Sequence, residues 1–236
     1  MRRRNRVRVW GAGVAVVLGL AQGAVALAQQ PAPPEKVAAV KQSFQESQAR
    51  LRTFEWVETT VVSLKGEQKS KKQERCYYGA EGGIQKVPIG TPEQADMPGG
   101  LRGRASRNKQ EEIVEYMDRA VALVKLYVPP DPARIQQSKD AGKASLHMLE
   151  PGKRARLDFG DYVQPGDVLG VEIDIVNNRI LGVHVATSLD SAPVNLDITF
   201  AAFPDGTIHT SAVKLDAKAQ EVTVDIQNTG YRNTGS

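Results

Sequence analysis

The chain contains one cysteine, Cys76, in the segment QERCYYGAEGG at residues 73–83. A thiolate can serve as a nucleophile, and an unpaired cysteine in an oxidising compartment can link two chains. No helix start and no local signature of a cysteine enzyme accompanies Cys76, which lies beside Tyr77 and Tyr78 in a strand-like stretch. We expect Cys76 to pack inside the protein if it faces inward. An outward-facing side chain would favour a disulfide-linked dimer through Cys76.

The histidines do not form a recognisable metal or catalytic motif. His147, His184 and His209 are far apart in the sequence, and the last two lie on strand phases shared with polar residues, so we expect both to face solvent. The chain has no GxSxG, GxxxxGK[ST] or HExxH motif. We therefore predict no metal, no cofactor and no catalytic residue.

Two pairs of carboxylates keep an enzymatic alternative open. Glu172 and Asp174 lie on the polar phase of one strand, and Asp158 and Asp161 are three positions apart. Paired carboxylates can act as acid and base, although charge alternating with apolar residues is also ordinary strand patterning. A hydrolase with a site around His184, Glu172 and Asp174 on the polar face of the sheet is the least favoured of three hypotheses.

The first 28 residues have the pattern of a Sec-type signal peptide. A basic start, MRRRNRVRVW, precedes an apolar stretch and the small-residue site Ala26-Leu27-Ala28, after which we predict cleavage. The apolar run is shorter than a membrane span needs, so we expect a periplasmic or secreted protein with no transmembrane segment after cleavage. Removal of five arginines from a formal net charge of +4 leaves −1, which gives no support for nucleic-acid binding.

The rest of the chain indicates one domain. QQPAPP at residues 29–34 is typical of a flexible tether, and residues 35–236 are enough for a single domain without an internal disulfide. Apolar spacing predicts an amphipathic helix over residues 35–54. A loop is expected at residues 90–105, followed by a central helix that starts near Asn108 and is apolar nearly all round at residues 120–128.

Strand patterns surround these helices. Residues 54–64 alternate with period two, residues 68–78 are lysine-rich as in a protected sheet edge, and the chain from residue 143 onward shows apolar alternation between regular turns. A one-sided apolar sheet needs a cover, which the two helices can supply. The sequence therefore predicts an α+β fold, in which a strongly bent antiparallel sheet, a half-barrel, wraps around an N-terminal helix and a central helix.

This order of elements resembles that of periplasmic lipoprotein and lipid carriers of the LolA/LppX type. The resemblance covers most of residues 35–229, is architectural, and transfers no functional residue. It implies an open half-barrel that holds acyl chains between a curved sheet and a helical lid. The blocks YVPPDP, DYVQPGD, LDITFAAFPDGT and NTGYRN also look like those of a family of uncharacterised exported bacterial proteins.

The first hypothesis is accordingly a non-enzymatic envelope protein that binds an acyl chain or a lipidated partner between sheet and helices, with residues 90–105 as a lid. The second is a structural or interaction module whose lysine-rich edge meets a partner, through Lys69, Lys71, Lys72 and Cys76. The candidate residues for the hydrophobic ligand are Trp56, Val62, Leu64, Met117, Val121, Val124, Phe159 and Phe200.

Overall fold

The structure is a computed structural model that describes residues 34–91, 93–94 and 100–235. The predicted signal peptide and all but the last residue of the predicted tether lie outside these residues. Three α-helices are present in the described part: α1 Pro34–Leu51, α2 Gly100–Val124 and α3 Pro132–Asp140. The strands are β1 Phe54–Leu64, β2 Glu67–Tyr78, β3 Ile84–Pro88, β4 Glu93–Gln94, β5 Ala144–Glu150, β6 Arg154–Gly160, β7 Val168–Asp174, β8 Arg179–Leu189, β9 Ala192–Ala202, β10 Ile208–Ala217 and β11 Val222–Asn233.

All described strands form one antiparallel sheet. Their order is β3-β2-β1-β11-β10-β9-β8-β7-β6-β5, and β4 pairs beside β3 on the outer side of β2. The last strand therefore returns to the first hairpin, while β3 and β5 lie at opposite edges of the sheet. The predicted fold class is confirmed: the protein has an α+β fold with an open half-barrel.

Short-range sequence signals set several element boundaries. Asp131 caps α3 by accepting a hydrogen bond of 2.8 Å from the Ala133 backbone N–H, and Pro132 occupies the first turn. Between β8 and β9 the chain reverses through Asp190 and Ser191, whose φ angles are +51° and +64°. Two left-handed residues in succession are typical of the tight hairpin turn whose twist matches that of the strands.

The helices pack on one side of the sheet. Helix α1 lies against β8 and β10, α2 lies against β8, and α3 lies against β6. The Ser47 hydroxyl on α1 accepts a hydrogen bond of 2.9 Å from the Ile208 backbone N–H, and Phe44 meets Phe200 edge to face at 5.7 Å between ring centroids. These contacts hold α1 across the start of β10.

Three expectations about the elements are wrong. Helix α2 begins at Gly100, so residues 100–105 are helical rather than part of a loop, and residues 93–94 pair with β2. The helix ends at Val124, and residues 120–128 are not covered all round, since Ala122 and Leu126 are exposed. Two glycines in the first turns of α2 hide its start, because glycine lowers helix propensity without preventing a helix.

The lysine-rich strand β2 is also not the sheet edge. Its residues 74–78 pair with β3, and Ser70 and Lys71 pair with β4, so the outermost strands on this side are β3 and β4. The charged side chains of β2 are explained instead by ion pairs, such as the one between Lys72 and Glu74.

A buried carboxylate ties the end of α2 to the sheet. Asp167 is 2% exposed and accepts backbone hydrogen bonds of 2.5–2.9 Å from Tyr162, Val163 and Gln164. The Tyr127 hydroxyl, three residues beyond α2, donates to the same carboxylate at 2.5 Å. The Asp167 side chain thus accepts backbone hydrogen bonds from the loop between β6 and β7 and also anchors the segment that follows α2.

Replacement of this carboxylate should be costly. Asp167→Ala leaves several buried backbone N–H groups without a partner, so we expect the free energy of unfolding to fall by roughly 3 kcal/mol or more. Urea denaturation measures the change. The matched control is Asp118→Ala, at an exposed position on α2, which should stay within about 0.5 kcal/mol of the unmodified chain. Equal effects of the two changes would contradict an anchoring role for Asp167.

Candidate functional site

A single apolar row crosses the helix-facing side of the sheet, because each of its residues lies opposite the next in the strand register. From β6 to β1 it consists of Phe159, Leu169, Val185, Leu196, Leu215, Val224 and Val62. The first five are buried, whereas Val224 and Val62 are half-buried. The apolar face therefore continues onto β11 and β1 beyond the part of the sheet that is fully packed.

This change in burial follows the placement of the helices. They pack against β6, β8 and β10, while β11 and β1 lie further along the same face. Half-buried aliphatic side chains accumulate there, and we call Val62, Leu64, Val224 and Ile226 the aliphatic strip. Val62 lies opposite Val224, and Leu64 opposite Val222, so the strip is continuous between the two strands.

Polar side chains lie next to the aliphatic strip on the same face. In the register of β2, β1 and β11, Glu74 lies opposite Glu58, and Glu58 lies opposite Asn228; we call these three residues the polar row. Lys86 Nζ is 2.5 Å from Glu58 Oε1, and Lys72 Nζ is 2.9 Å from Glu74 Oε2. Like charges directly opposite one another destabilise a sheet, so each lysine offsets the charge of one carboxylate.

An aromatic cluster lies beyond the polar row, where β1 begins and β11 ends. Trp56 stacks on Tyr231 with ring centroids 5.4 Å apart, and Tyr231 lies 4.3 Å from the ring of His209, which stacks on Phe203 at 4.3 Å. The cluster consists of Phe54, Trp56, Tyr78, Phe203, His209 and Tyr231. The inner face of β1 thus changes along its length from aromatic to polar to aliphatic.

His209 differs from its expected position. It is 8% exposed rather than solvent-facing, since the rings of Phe203 and Tyr231 cover it. Burial lowers the pKa of His209, because a charged imidazolium loses its hydration among these rings. The strand alternation could not predict this position, since a register shift between Thr210 and Ala212 disrupts the phase of β10.

The predicted hydrophobic-ligand residues divide among three places. Met117, Val121 and Phe200 are partly buried against the main core, and Val124 and Phe159 are buried within it. Val62 and Leu64 belong to the aliphatic strip, and Trp56 belongs to the aromatic cluster. The structure therefore does not bring all eight together, and ligand contact by any of them stays a prediction. Sequence alternation could not predict that Ile226, Asn228 and Glu58 are neighbours, because they are brought together by the pairing of β1 with β11, which are far apart in the chain.

Two of the predicted partner-binding lysines form ion pairs within this chain. Lys69 Nζ lies 2.6 Å from Glu67 Oε2, Lys72 pairs with Glu74, and Lys71 lies opposite Glu93 in the strand register. Cys76 is fully buried on the inner face, opposite Trp56. Burial and the nearby Glu58 carboxylate raise the pKa of the thiol. The thiol therefore faces inward, which is the alternative in which Cys76 packs inside the protein. No contact among the described residues supports a disulfide-linked dimer.

The outer face of the sheet carries a groove of about 530 Å³. His184 Nδ1 lies 2.7 Å from Asp197 Oδ1, and His184 Nε2 lies 3.6 Å from Glu172 Oε2. Gly170 lies opposite His184, where a Cβ would come within 2.8 Å of the Asp158 carboxylate, so the absence of a side chain keeps the groove open. The groove is lined by Arg156, Asp158, Val168, Gly170, His184, Val185, Ala186, Asn195, Asp197, Lys214 and Asp216.

The charges of this groove are largely committed to one another. Arg156 donates to Asp158 at 2.9–3.2 Å, and Glu172 is paired with Arg154. Asp174 accepts from the backbone N–H groups of the following turn instead of joining His184. The predicted cluster of His184, Glu172 and Asp174 is therefore wrong for Asp174. The second carboxylate beside His184 is that of Asp197.

A second grouping on the outer face also lacks a catalytic geometry. Ser145 Oγ lies 2.9 Å from His147 Nε2, and Asp158 Oδ2 lies 3.3 Å from the same nitrogen. In a hydrolytic triad the hydroxyl and the carboxylate engage different ring nitrogens. In the part of the chain that the structure describes, no group of three or more histidine, cysteine or acidic side chains is arranged to hold a metal ion.

Comparison with known proteins identifies no family. No family model matches the chain, and no curated protein matches it. Among solved structures, the chain is similar to the crystal structure of LolA superfamily protein NE2245 from Nitrosomonas europaea, with 7% identity, a TM-score of 0.37, and coverage of 84% of this chain and 94% of that chain. At this identity and TM-score, nothing about the function of this chain follows from the likeness.

Hydropathy of the helices adds one further observation. Within the residues that the structure describes, no helix combines the length and the apolar character needed to cross a bilayer.

The buried histidine predicts a pH dependence of stability. Since the pKa of His209 is lowered in the folded protein, the unfolded chain binds a proton more readily below its own pKa of about 6.5. Above about pH 6.5 the imidazole is neutral in both states, and the buried His209 costs no stability. As the pH falls below that value, the unfolded chain takes up a proton that the folded chain does not, so the free energy of unfolding decreases. We expect His209→Phe to reduce the loss of unfolding free energy between pH 7.5 and pH 5, measured by urea denaturation. An unchanged loss in the variant would refute this origin.

Thiol reactivity tests the placement of Cys76. A buried thiol with a raised pKa should react with an aromatic disulfide reagent at pH 8 roughly a hundredfold more slowly in the folded chain than in urea. The folded chain should also run as a monomer on a non-reducing gel. The control is Thr229→Cys in a Cys76→Ser background, which moves the thiol to an exposed position on β11. Rapid reaction of native Cys76, or a dimer that a reductant dissolves, would contradict its burial.

Proposed function

We propose that the protein is a non-enzymatic, exported carrier or receptor that binds an acyl chain on the inner face of its half-barrel. The observation that carries the proposal is the apolar row, which is buried from Phe159 to Leu215 but half-buried at Val224 and Val62. A monomeric soluble protein rarely leaves a contiguous apolar face open without a binding role. An acyl chain matches this surface because it offers apolar area and needs no hydrogen bond along its length.

The shape of the surface supports an extended ligand. The aliphatic strip follows β11 and β1, which run side by side from Val222 and Leu64 towards Asn228 and Glu58. Its half-buried side chains lie on the face against which the helices pack, so a chain placed there would be covered on one side by the sheet. The predicted signal peptide at residues 1–28 supports a periplasmic or secreted location.

The two alternatives have less support. The interaction module depended on a lysine-rich edge, and β2 is not at the edge. The hydrolase depended on His184 with Glu172 and Asp174, but Asp174 accepts from the backbone of the following turn and Glu172 is paired with Arg154.

Matched substitutions on the two faces of β1 test acyl-chain binding. Val62→Lys places a charge within the aliphatic strip, and we expect it to weaken binding of the apolar fluorophore N-phenyl-1-naphthylamine at least about tenfold, because a buried ammonium is strongly unfavourable. Val61→Lys, on the opposite face of the same strand, should change the affinity less than about twofold. Fluorescence titration measures both, and displacement by hexadecanoyl compounds shows whether the probe and an acyl chain share the site.

Two results would overturn the proposal. One is the absence of saturable fluorophore binding to the unmodified chain. The other is an equal loss of binding in the two lysine variants while both retain cooperative unfolding, since that would place the binding surface elsewhere.

A further inference from the structure

Strand β5 forms one edge of the sheet and has no neighbouring strand beyond it. The Gly160 backbone N–H donates to the Lys143 carbonyl at 2.9 Å, so the backbone of Lys143 faces β6. Backbone groups in an antiparallel pair face the partner strand at every second residue. The N–H and C=O groups of Ala144, Leu146 and Met148 therefore point away from β6, and they have no backbone partner among the described residues.

This open edge is apolar on its inner face. Ala144, Leu146 and Met148 lie opposite the inner-face residues of β6. Met148 is 48% exposed and the adjacent Leu149 is 44% exposed. Edge strands are usually blunted by a lysine, a proline or a bulge. Residues 144–148 contain no lysine and no proline, and the irregularity of β5 lies after Met148, so this segment keeps a regular edge.

The opposite edge of the sheet is better protected. The Ile89 backbone N–H donates to the Gln73 carbonyl at 2.8 Å, so by the same alternation the backbone groups of Ile84, Lys86 and Pro88 point outward on β3. Proline has no N–H to donate, and β4 pairs with β2 beyond the end of β3. The edge at β5 is therefore the more open of the two.

A second copy of β5 fits this edge in one antiparallel register. With a twofold axis at Leu146, Leu146 meets Leu146 of the second copy, Ala144 meets Met148, and Ser145 meets His147. The outward backbone groups of Ala144, Leu146 and Met148 then face one another, as hydrogen-bonded pairs require. Apolar side chains meet on the inner face, and no two carboxylates or ammonium groups lie opposite each other.

The ends of the two strands are also compatible. Lys143 of one copy comes next to Glu150 of the other, and these charges have opposite signs. Each already has an ion-pair partner in its own chain, so the ends do not depend on a new contact. A register centred on Met148 would instead include the irregular part of β5 before Glu150.

We propose that two copies of this chain pair through β5, antiparallel about a twofold axis at Leu146, so that the two half-barrels share one continuous sheet. A self-complementary surface is what a twofold dimer requires. The contact is non-covalent, does not involve Cys76, and is independent of the proposed ligand. It covers Met148 and satisfies the outward backbone groups of both copies.

Sedimentation of the unmodified chain over a range of concentrations measures this association. A short strand pair buries less surface than a standard stable interface, so we expect a reversible dimer with a Kd of roughly 1–100 µM. A chain that remains monomeric at concentrations well above this range overturns the proposal.

Charge substitutions at the axis test the register. Leu146→Lys should weaken self-association at least about tenfold, because it places two like charges opposite each other, and Leu146→Glu should do the same. An equimolar mixture of the two variants should associate again, since the charges across the axis are then opposite. The matched control is Val87→Lys on the other edge strand, β3, which should leave the Kd within about twofold of that of the unmodified chain.

Amide hydrogen exchange tests the same contact without a substitution. Between dilute and concentrated samples of the unmodified chain, protection of the Ala144, Leu146 and Met148 amides should rise at least about fivefold. The amides of Ser145 and His147 face β6 and should change less. This measurement decides the question if a Leu146 variant fails to unfold cooperatively in urea.

Three further results would overturn the pairing. The first is a dimer that persists in folded Leu146→Lys, and the second is a mixture of folded Leu146 variants that does not associate. The third is concentration-dependent protection at β3 in place of β5, or a dimer that Val87→Lys dissociates, since either would place the contact at the other edge.

Discussion

The sheet of this protein has more apolar inner surface than its described helices pack against. Helices α1, α2 and α3 lie against β6, β8 and β10, and side chains of the apolar row on that part of the sheet are buried. The same row continues through Val224 to Val62 with intermediate burial. Among the described residues, no helix contacts β11, β1 or β2 as extensively as the three helices contact β6, β8 and β10.

The pairing of the first strand with the last strand determines what the extended surface contains. It joins the β1–β2 hairpin, which carries Glu58, Glu74 and Lys72, to β11, which carries Asn228 and Ile226. Charged groups inside an apolar face are unfavourable unless they are paired and hydrogen-bonded. Lys86 lies 2.5 Å from Glu58 and Lys72 lies 2.9 Å from Glu74. Among the described residues, the indole N–H of Trp56, Glu74 Oε2 and Asn228 Oδ1 are buried without a hydrogen-bond partner. The inner face is therefore amphipathic along the strands.

Much of the secondary structure could be predicted from local patterns. The strands after residue 143, the short helix α3 and its Asp131 cap follow from alternation and from turn and cap residues, which act over a few positions. The start of α2 could not be predicted, because residues 100–107 include two glycines and have little apolar periodicity. The position of β2 was also misjudged: many lysines are typical of an edge strand, but here Lys72 and Lys86 balance carboxylates on neighbouring strands.

The sequence by itself determined the α+β class, the meander and the existence of a one-sided apolar sheet, since alternation and turn chemistry are local properties. It also placed Val62 and Leu64 on one phase of β1. Only the tertiary structure decided that Cys76 faces inward, that His209 is buried between aromatic rings, and that Asn228 lies beside Glu58. These facts depend on the pairing of each strand with its neighbours, as between β1 and the distant β11, and on bulges that shift the phase of β10 and of the β1–β11 pair. A period-two pattern contains no information about either, because it describes each strand alone.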